Sequence, residues 1–510
     1  MRWTAGYVSD IPYSVGYYRE LSPTFLRFAA LGVGQVAGPT SSYLELGSGQ
    51  GFGLALLAAA EPGVRFHGVD FNPEHIVTSR RFAGGAGLDN LEFEEASFEE
   101  VAERGTAGEF DRVVLHGILS WVSKATQDAV VAILRRRLAP GGIAYVSYNA
   151  MPGWAAMTPI QHLLRTLAER APSGRSDARV DHALAAIETL RTGDARYFDQ
   201  NPDVVARASK LAGHDRAYLV HEYLNEHWQP LYFSQVAAML DPAKLSYLGS
   251  ATIVDDLNVM AVPGKLHGAV EEAGGDIVWR ETLRDFASNK RFRRDIYARG
   301  LPAPSRFDYV RALAASRYVL AVDPDRVSYT LSGPLGEVEG HRDVYEPVVR
   351  RLAESEVASF EELAALPAIA QRGTATLLQT LILLVQSGQV IPAAAGDSEA
   401  ARVSCRRFNR FVLSALETGQ VYGFLASPVG GTGIAVGNAD LLALAALEAG
   451  CTNEEAIARH AFESLDRRGQ RPMKDGQPIE DDAEALAAIG RDLGPIAASK
   501  RPIWRRLGIL

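Results

Sequence analysis

The chain has 510 residues and is poor in cysteine, in long apolar runs and in positive charge. Its two cysteines, Cys405 and Cys451, are isolated, offer no metal-ligand spacing and are expected to be buried structural thiols. No run of about 18 apolar residues is present to span a bilayer, and no apolar signal segment follows Met1. We therefore expect a cytoplasmic protein without a metal site or membrane insertion. The net charge of −9 argues against a general nucleic-acid-binding protein.

A glycine-rich segment at residues 43–53 carries the strongest local signal, and it lacks the spacing of a dinucleotide fingerprint. The fingerprint G-x-G-x-x-G would need glycine where Phe52 or Leu54 stands. Instead, a short apolar strand containing Glu45 runs into a glycine series, and an Ala/Leu-rich helical segment follows at once. Glycines let the backbone turn sharply and let a bulky ligand approach main-chain N–H groups. The segment predicts a ligand-binding loop formed by Gly47, Gly49, Gly51 and Gly53.

The residues after this loop alternate between strand and helix patterns, which indicates a parallel sheet with ligands at the carboxyl ends of its strands. Asp70 ends the second strand about 20 residues after the loop, where a βαβ unit presents a carboxylate to ribose hydroxyls. Asn72 and Pro73 have the residue types of a helix N-cap and first turn. The predicted strands are residues 43–45, 64–70, 91–98, 110–116 and 143–148, with a returning strand at 245–253.

The length of the chain predicts about three domains or more. Residues 1–40 carry many tyrosines and are predicted to be an N-terminal lid or a packed arm. The remaining predicted units are a Rossmann-like core at 41–154, a helical insertion at 155–300, a middle domain at 301–395 and a mainly helical C-terminal domain at 396–510.

The middle domain has the order of a winged-helix module: helix, short helix, longer helix and strand, at residues 344–353, 359–364, 374–387 and 390–392. Winged helices can bind DNA or serve as packing modules. Residues 341–395 contain four arginines against six acidic residues, and the candidate recognition helix is almost entirely apolar. Such a module cannot supply the phosphate contacts of a DNA-binding protein. We therefore expect no nucleic-acid partner.

The motifs together resemble a known family. The acidic-x-Gly-x-Gly-x-Gly pattern at Glu45 resembles the first motif of class I S-adenosylmethionine (SAM) dependent methyltransferases. The segment at residues 10–13, the block at 116–122 and the block at 221–233 are similar to bacterial methyltransferases with a methyltransferase regulatory domain, including rickettsial protein-lysine methyltransferases. The resemblance is good over residues 1–300 and looser beyond. It places the regulatory domain within 155–300, implies accessory domains around a large cavity and allows a homodimer.

The resemblance implies that SAM is the cofactor and that residues of the glycine loop and of the strand ends bind it. The glycine loop would hold the methionine part, Asp70 the ribose, and the residues after the third strand the adenine. The residues implied for cofactor binding are Tyr13, Glu45, Gly47, Ser48, Gly49, Gly51, Asp70, Phe71, Ala96, Ser97, Phe98, His116, Gly117 and Ile118.

These motifs leave open which group accepts the methyl. The candidate catalytic residues are His116, Trp121, His221, Glu222 and Tyr223, of which His116 and Glu222 are candidate proton acceptors. For His221 and Glu222, a structural hydrogen-bonding role is an equal alternative. The favoured acceptor is a lysine side chain of a protein. The alternatives are a small-molecule acceptor, or a protein that binds SAM only to regulate its accessory domains.

Overall fold

The computed structural model describes residues 4, 6–11, 15–104, 108–172, 174–395 and 398–510. Its centre is a seven-stranded sheet with the strand order β3-β2-β1-β4-β5-β7-β6. All neighbouring strands are parallel except that β7 runs antiparallel to both β5 and β6. This arrangement confirms the predicted Rossmann-like α/β fold. The strands are β1 Ser42–Leu46, β2 Arg65–Asp70, β3 Leu91–Glu95, β4 Phe110–Leu115, β5 Leu138–Asn149, β6 Leu245–Ser250 and β7 Phe292–Arg299.

Helices flank the first half of the sheet, and local sequence sets their ends. The Asn72 side chain accepts a hydrogen bond from the Glu74 N–H and Pro73 occupies the first turn, so α3 begins as predicted. Ser97 and Glu100 form a capping box that begins α4. These helices are α1 Pro23–Gly32, α2 Phe52–Ala60, α3 Pro73–Ala86, α4 Phe98–Glu103 and α5 Lys124–Arg137.

A helical insertion separates β5 from β6, and further helices separate β6 from β7. The insertion includes the amphipathic helix α6, whose apolar face packs on α7. The helices are α6 Thr158–Glu169, α7 Ser176–Thr192, α8 Arg196–Asp199, α9 Pro202–Leu211, α10 Arg216–Tyr223, α11 Phe233–Leu240, α12 Asn258–Ala261, α13 His267–Glu272 and α14 Ile277–Ser288.

The sheet differs from the sequence prediction in three respects. β7 was not predicted at all, although it joins β6 to β5. β5 begins at Leu138 rather than after Pro140, with a register irregularity opposite Phe110 and Arg112. β3 ends at Glu95, so residues 96–98 form a turn and a helix start rather than a strand. The predicted domain boundaries stay predictions, but two strands of the sheet come from residues beyond 154.

The middle region contains the predicted order of helix, short helix, longer helix and strand. Its three-stranded sheet has the order β11-β8-β12, so a strand that precedes the helices lies at its centre. The elements are α15 Arg306–Ala314, β8 Arg317–Leu320, β9 Thr330–Gly333, β10 Gly336–Glu339, α16 Arg342–Glu354, β11 Ala358–Ser359, α17 Phe360–Ala364, α18 Pro367–Ala370, α19 Thr374–Gln386 and β12 Val390–Pro392.

The C-terminal region is mainly helical and packs on the outer side of α2 and α3 through its first helix, α20. No helix among the described residues is long and apolar enough to cross a membrane. The elements are α20 Glu399–Ala415, β13 Phe424–Ser427, β14 Thr432–Ala435, α21 Asn438–Glu448, α22 Glu454–Arg467, β15 Met473–Lys474, β16 Gln477–Pro478 and α23 Asp482–Arg506.

Candidate functional site

The glycine loop turns between β1 and α2 through left-handed backbone conformations. Gly47, Gly49 and Gly51 have φ values of +75°, +55° and +76°, which residues with a side chain rarely adopt. The N–H groups of Gly47 and Ser48 both donate to the Val69 carbonyl, at 2.8 and 3.0 Å. These bonds fasten the loop to the end of β2. A Cβ at Gly49 would meet no described atom within 4 Å, so this glycine borders open space.

Asp70 connects the loop to the start of α3. Its Oδ2 accepts from the Gly49 N–H at 2.9 Å, and its Oδ1 accepts from the Asn72 N–H at 2.9 Å. His75 Nδ1 lies 3.1 Å from the same Oδ1. The buried carboxylate of Asp70 therefore orders the loop. Its two oxygens can still accept a hydrogen bond from a further donor, such as a ligand hydroxyl.

Residues after β3 form the opposite wall. The Ala96 N–H donates to the Asp70 carbonyl at 3.1 Å, which draws the end of β3 beside the end of β2. Phe98 lies close to the loop, because a Cβ at Gly47 would be 3.7 Å from its ring. Phe71, Ala96, Ser97 and Phe98 all line the same cavity as the glycine loop.

Residues 116–118, which follow β4, form the base of the cavity. The Gly117 N–H donates to Ser147 Oγ at 2.8 Å. Gly117 has a positive φ of 66°, and the Trp121 ring occupies the place that a side chain at this position would take. His116 Nδ1 is hydrogen-bonded to the Tyr145 hydroxyl at 2.9 Å. Burial and then the positive charge of Arg294 lower the pKa of His116 to about 3. The imidazole is therefore neutral at physiological pH and is a poor proton acceptor.

Three tyrosines of the N-terminal arm also line the cavity: Tyr7, Tyr17 and Tyr18. Tyr18 stacks on His116 with 3.8 Å between ring centroids, and Tyr7 meets Phe71 edge-on at 5.7 Å. The sequence indicated an aromatic arm but named Tyr13, which lies outside the described residues. Contacts with residues far away along the chain determine which tyrosines reach the site, and local sequence patterns do not predict such contacts.

The cavity measures about 1490 Å³ including its open mouth. All the predicted cofactor-binding residues within the described part of the chain line it. Two buried polar atoms here, Ser48 Oγ and Trp121 Nε1, have no hydrogen-bond partner among the described residues. Unpaired polar atoms beside an open glycine cradle fit a polar ligand such as SAM.

Comparisons with known proteins agree with this geometry. Residues 44–144 match the model of a methyltransferase domain, and residues 215–299 match that of a predicted methyltransferase regulatory domain. An uncharacterized protein of Synechocystis sp. is 34% identical over 100% of both chains. An uncharacterized protein of Rickettsia prowazekii is 29% identical over 56% of this chain and 51% of the relative.

The chain belongs to the SAM-dependent methyltransferases that carry a methyltransferase regulatory domain. The predicted family and cofactor are thereby confirmed. Among solved structures, PKMT2 from Rickettsia typhi in complex with AdoHcy shares the fold, with a TM-score of 0.72 and 21% identity over 97% of this chain and 99% of that chain. A second structure of PKMT2 from the same organism superposes with a TM-score of 0.70, at 21% identity over 98% of this chain and 100% of that chain.

Three of the predicted catalytic residues of this methyltransferase lie behind the cavity wall. None of the described residues that line the cavity comes from positions 221–223. His221 Nε2 donates to the Ile11 carbonyl at 3.0 Å and its ring stacks on Tyr7 at 5.5 Å. Glu222 Oε1 accepts from Asn149 Nδ2 at 2.8 Å. His116 and Trp121 do line the cavity, and all five catalytic roles stay predictions.

The methyltransferase should bind SAM more tightly as pH rises, because of Glu45. Burial, and then the charge of Asp70, raise the pKa of Glu45 to about 8, so the free protein holds this carboxyl largely protonated at pH 7. Glu45 lines the cavity, and a cation bound there favours the ionised carboxylate. We expect the calorimetric Kd for SAM to fall by up to about tenfold per pH unit between about pH 6 and pH 8.

The matched variant is Glu45→Gln, in which this pH dependence should disappear. The demethylated product lacks the positive sulfur and should show a smaller dependence in the unaltered protein. A SAM affinity that stays constant with pH in the unaltered protein would contradict the assignment of Glu45.

Proposed function

We propose that the chain transfers methyl groups from SAM to lysine side chains of a protein substrate. The observation that carries the proposal is the buried carboxylate of Glu222, at the edge of the sheet where β5 ends. The resemblance to rickettsial protein-lysine methyltransferases supports it, as do the aromatic side chains that line the cavity beside the predicted cofactor residues. A cytoplasmic location and a homodimer stay predictions.

Glu222 has the surroundings of a group that receives an amine. Burial raises its pKa to about 7, and the Asn149 amide and the charge of Arg291 oppose this rise. Tyr218 interacts electrostatically with both Glu222 and Tyr18, and Tyr18 lines the cavity. Tyr18 of the cavity wall and Glu222 therefore both lie within electrostatic range of Tyr218. A carboxylate in such surroundings would hold an incoming ammonium group together with the faces of the aromatic rings, and would accept its proton before the neutral amine attacks the methyl group.

Methyl transfer requires the protein mainly to position the acceptor and to exclude water. SAM, when bound, supplies a methyl group that its sulfonium has already activated. The acceptor amine must be neutral, because an ammonium has no lone pair. Burial among Tyr18, Tyr145 and Phe292 disfavours a charged amine beside His116. The positive charge of Arg294, which already lowers the pKa of His116, acts in the same direction.

We expect acid-precipitable label when the full chain and methyl-labelled SAM are added to a lysate of a strain that lacks the protein. Glu222→Gln should lower kcat/KM for the protein acceptor by about ten- to a hundredfold, the cost of a lost charged hydrogen bond. SAM affinity should stay unchanged, because Glu222 does not line the cofactor cavity. Glu188→Gln is the control, since this glutamate lies exposed on α7 and pairs with Arg191.

Activity should also rise with pH as the acceptor lysine, with an ordinary pKa of about 10.4, loses its proton. Tyr223→Ala and Trp228→Ala should lower kcat/KM in the same way as Glu222→Gln. Label found only on small molecules, with none on precipitated protein, would replace this proposal with a small-molecule methyltransferase. Absence of any transfer by a protein that binds SAM would favour a regulatory SAM-binding protein.

The middle region is proposed to be a packing module rather than a DNA-binding one. The apolar face of α19 is buried, including Leu377, Leu381 and Leu384, and no free basic surface is left on that face. We expect the full chain to pass through a DNA column at low salt. Retention that is lost as the salt concentration rises would contradict this expectation, because phosphate contacts release counterions.

A further inference from the structure

The residue that follows the glycine loop is enclosed by aromatic side chains of the C-terminal region. Phe52 is the first residue of α2, borders the cofactor cavity and is 2% exposed. Its ring stacks on Tyr422 at 5.1 Å with a 21° angle between planes, and contacts Phe408 at 5.6 Å. Phe82 of α3 completes the enclosure at 5.4 Å. The rings of Tyr422, Phe408 and Phe82 therefore fix the position of Phe52.

A second connection joins the same region to the N-terminal arm. Tyr17 lines the cavity, and its hydroxyl is hydrogen-bonded to Thr432 Oγ1. Its ring meets Phe424 edge-on at 5.3 Å, and a Cβ at Gly433 would come within 2.6 Å of that ring. Ser22 Oγ, at the start of α1, donates to the Gly431 carbonyl at 3.0 Å. The hairpin of β13 and β14 thus supports the arm from behind.

We propose that the segment from Phe408 to Gly433 positions the cofactor-binding wall, with Tyr422 as the positioning residue for Phe52 and Thr432 for Tyr17. Neither family model covers this segment, since the matches end at residue 299. It acts through Phe52 and Tyr17, which border the cavity, and does not itself line it. A glycine loop is conformationally permissive, so a rigid neighbour reduces the ordering that a ligand must impose.

The alternative is ordinary packing between two parts of one core, in which Tyr422 contributes only to stability. The two cases differ in one readout. A positioning residue changes the affinity for the cofactor beyond any change in thermal stability, whereas a packing residue changes Tm alone. Tyr422 can be replaced by phenylalanine with little other change, because among the described contacts its hydroxyl donates only to Gln420 Oε1, at 2.8 Å.

The test is calorimetric titration of the full chain with SAM and with its demethylated product. Tyr422→Ala should weaken both affinities by about five- to tenfold, which is the range expected for a lost aromatic pair. Tyr422→Phe keeps the ring and should restore the affinity to within about twofold of the unaltered protein. Leu493→Ala is the stability control, since Leu493 lies buried on α23 in the same hydrophobic core and outside the segment from Phe408 to Gly433.

Thr432→Val provides a second route that leaves the aromatic enclosure intact. It removes the side-chain partner of the Tyr17 hydroxyl and should weaken SAM binding by about threefold or more. Unchanged affinities in Tyr422→Ala and Thr432→Val would overturn the proposal. An equal loss of affinity in Leu493→Ala, at a matched fall in Tm, would overturn it as well, because stability alone would then explain the effect.

Discussion

Gly49→Val is expected to abolish SAM binding in a chain that remains folded. Gly49 has a φ of +55°, and its N–H donates to Asp70. A Cβ at this position would touch no described atom, so the branched side chain of valine would occupy the open space of the cavity itself. The loss should come from exclusion of the ligand, with a cost of about 1–2 kcal/mol in stability from the left-handed backbone.

Two other glycines separate this effect from backbone strain. Gly34 has a φ of +80°, borders open space and does not line the cavity, so Gly34→Val should be strained but should bind SAM normally. A Cβ at Gly51 would come within 2.4 Å of Ser79 Oγ, so Gly51→Ala should lower Tm sharply. Calorimetry beside thermal unfolding distinguishes the three variants. A folded Gly49→Val protein with ordinary SAM affinity would refute the location of the cofactor site.

Arg293→Met is expected to cause the largest loss of stability. The guanidinium is buried and donates to Asp285 at 2.6 Å, to Asp295 at 2.8 Å and to Glu281 at 3.0 Å. These bonds join α14 of the regulatory domain to β7 of the sheet. Methionine would leave the buried Asp285 and Asp295 without their cation and Glu281 with only Arg280 and Arg284, and breaking a buried pair costs about 3–5 kcal/mol.

The penalty should also depend on pH. Burial raises the pKa of Asp285 to about 7 even beside Arg293, and loss of the cation would raise it further. The variant should therefore be least destabilised at low pH, where these carboxyls are neutral in both the folded and the unfolded chain, and most destabilised above pH 7. Arg350→Met is the control, since Arg350 is 73% exposed and pairs with Glu346 on the surface. Equal Tm values for Arg293→Met and the unaltered protein would contradict this account.

The cofactor wall could be predicted because its signals are local. The glycine spacing, Asp70 at the end of β2 and the cap at Asn72 each depend on residues close in sequence, and the structure brings them to one cavity. Strand ends of a parallel sheet meet at one edge, so the order of elements was sufficient to gather residues 45–51, 70–71, 96–98 and 116–118 there.

β7 could not be predicted in the same way, nor could the choice of tyrosines of the predicted arm that reach the cavity. β7 contains Arg293, Arg294 and Asp295, and charged residues in a strand interior argue against burial until their partners are known. Arg293 finds those partners on α14 and on its own strand, which makes the strand compatible with a central position. Tyr7 and Tyr17 reach the cavity through contacts with His221 and Thr432, more than 200 residues away along the chain.

The block at residues 221–233 was predicted as a functional unit from its density of aromatic and polar groups. His221 and Glu222 make buried hydrogen bonds to Ile11 and Asn149, so this block joins the arm to the end of β5.

The identity of the methylated residue tests the central claim most directly. Protein from the labelled lysate, hydrolysed to free amino acids and separated, should release the methyl label as N-methylated lysine. The same analysis with the Glu222→Gln protein should release much less of this product at equal SAM occupancy. Label recovered in a different methylated amino acid would contradict the assignment of lysine as the acceptor.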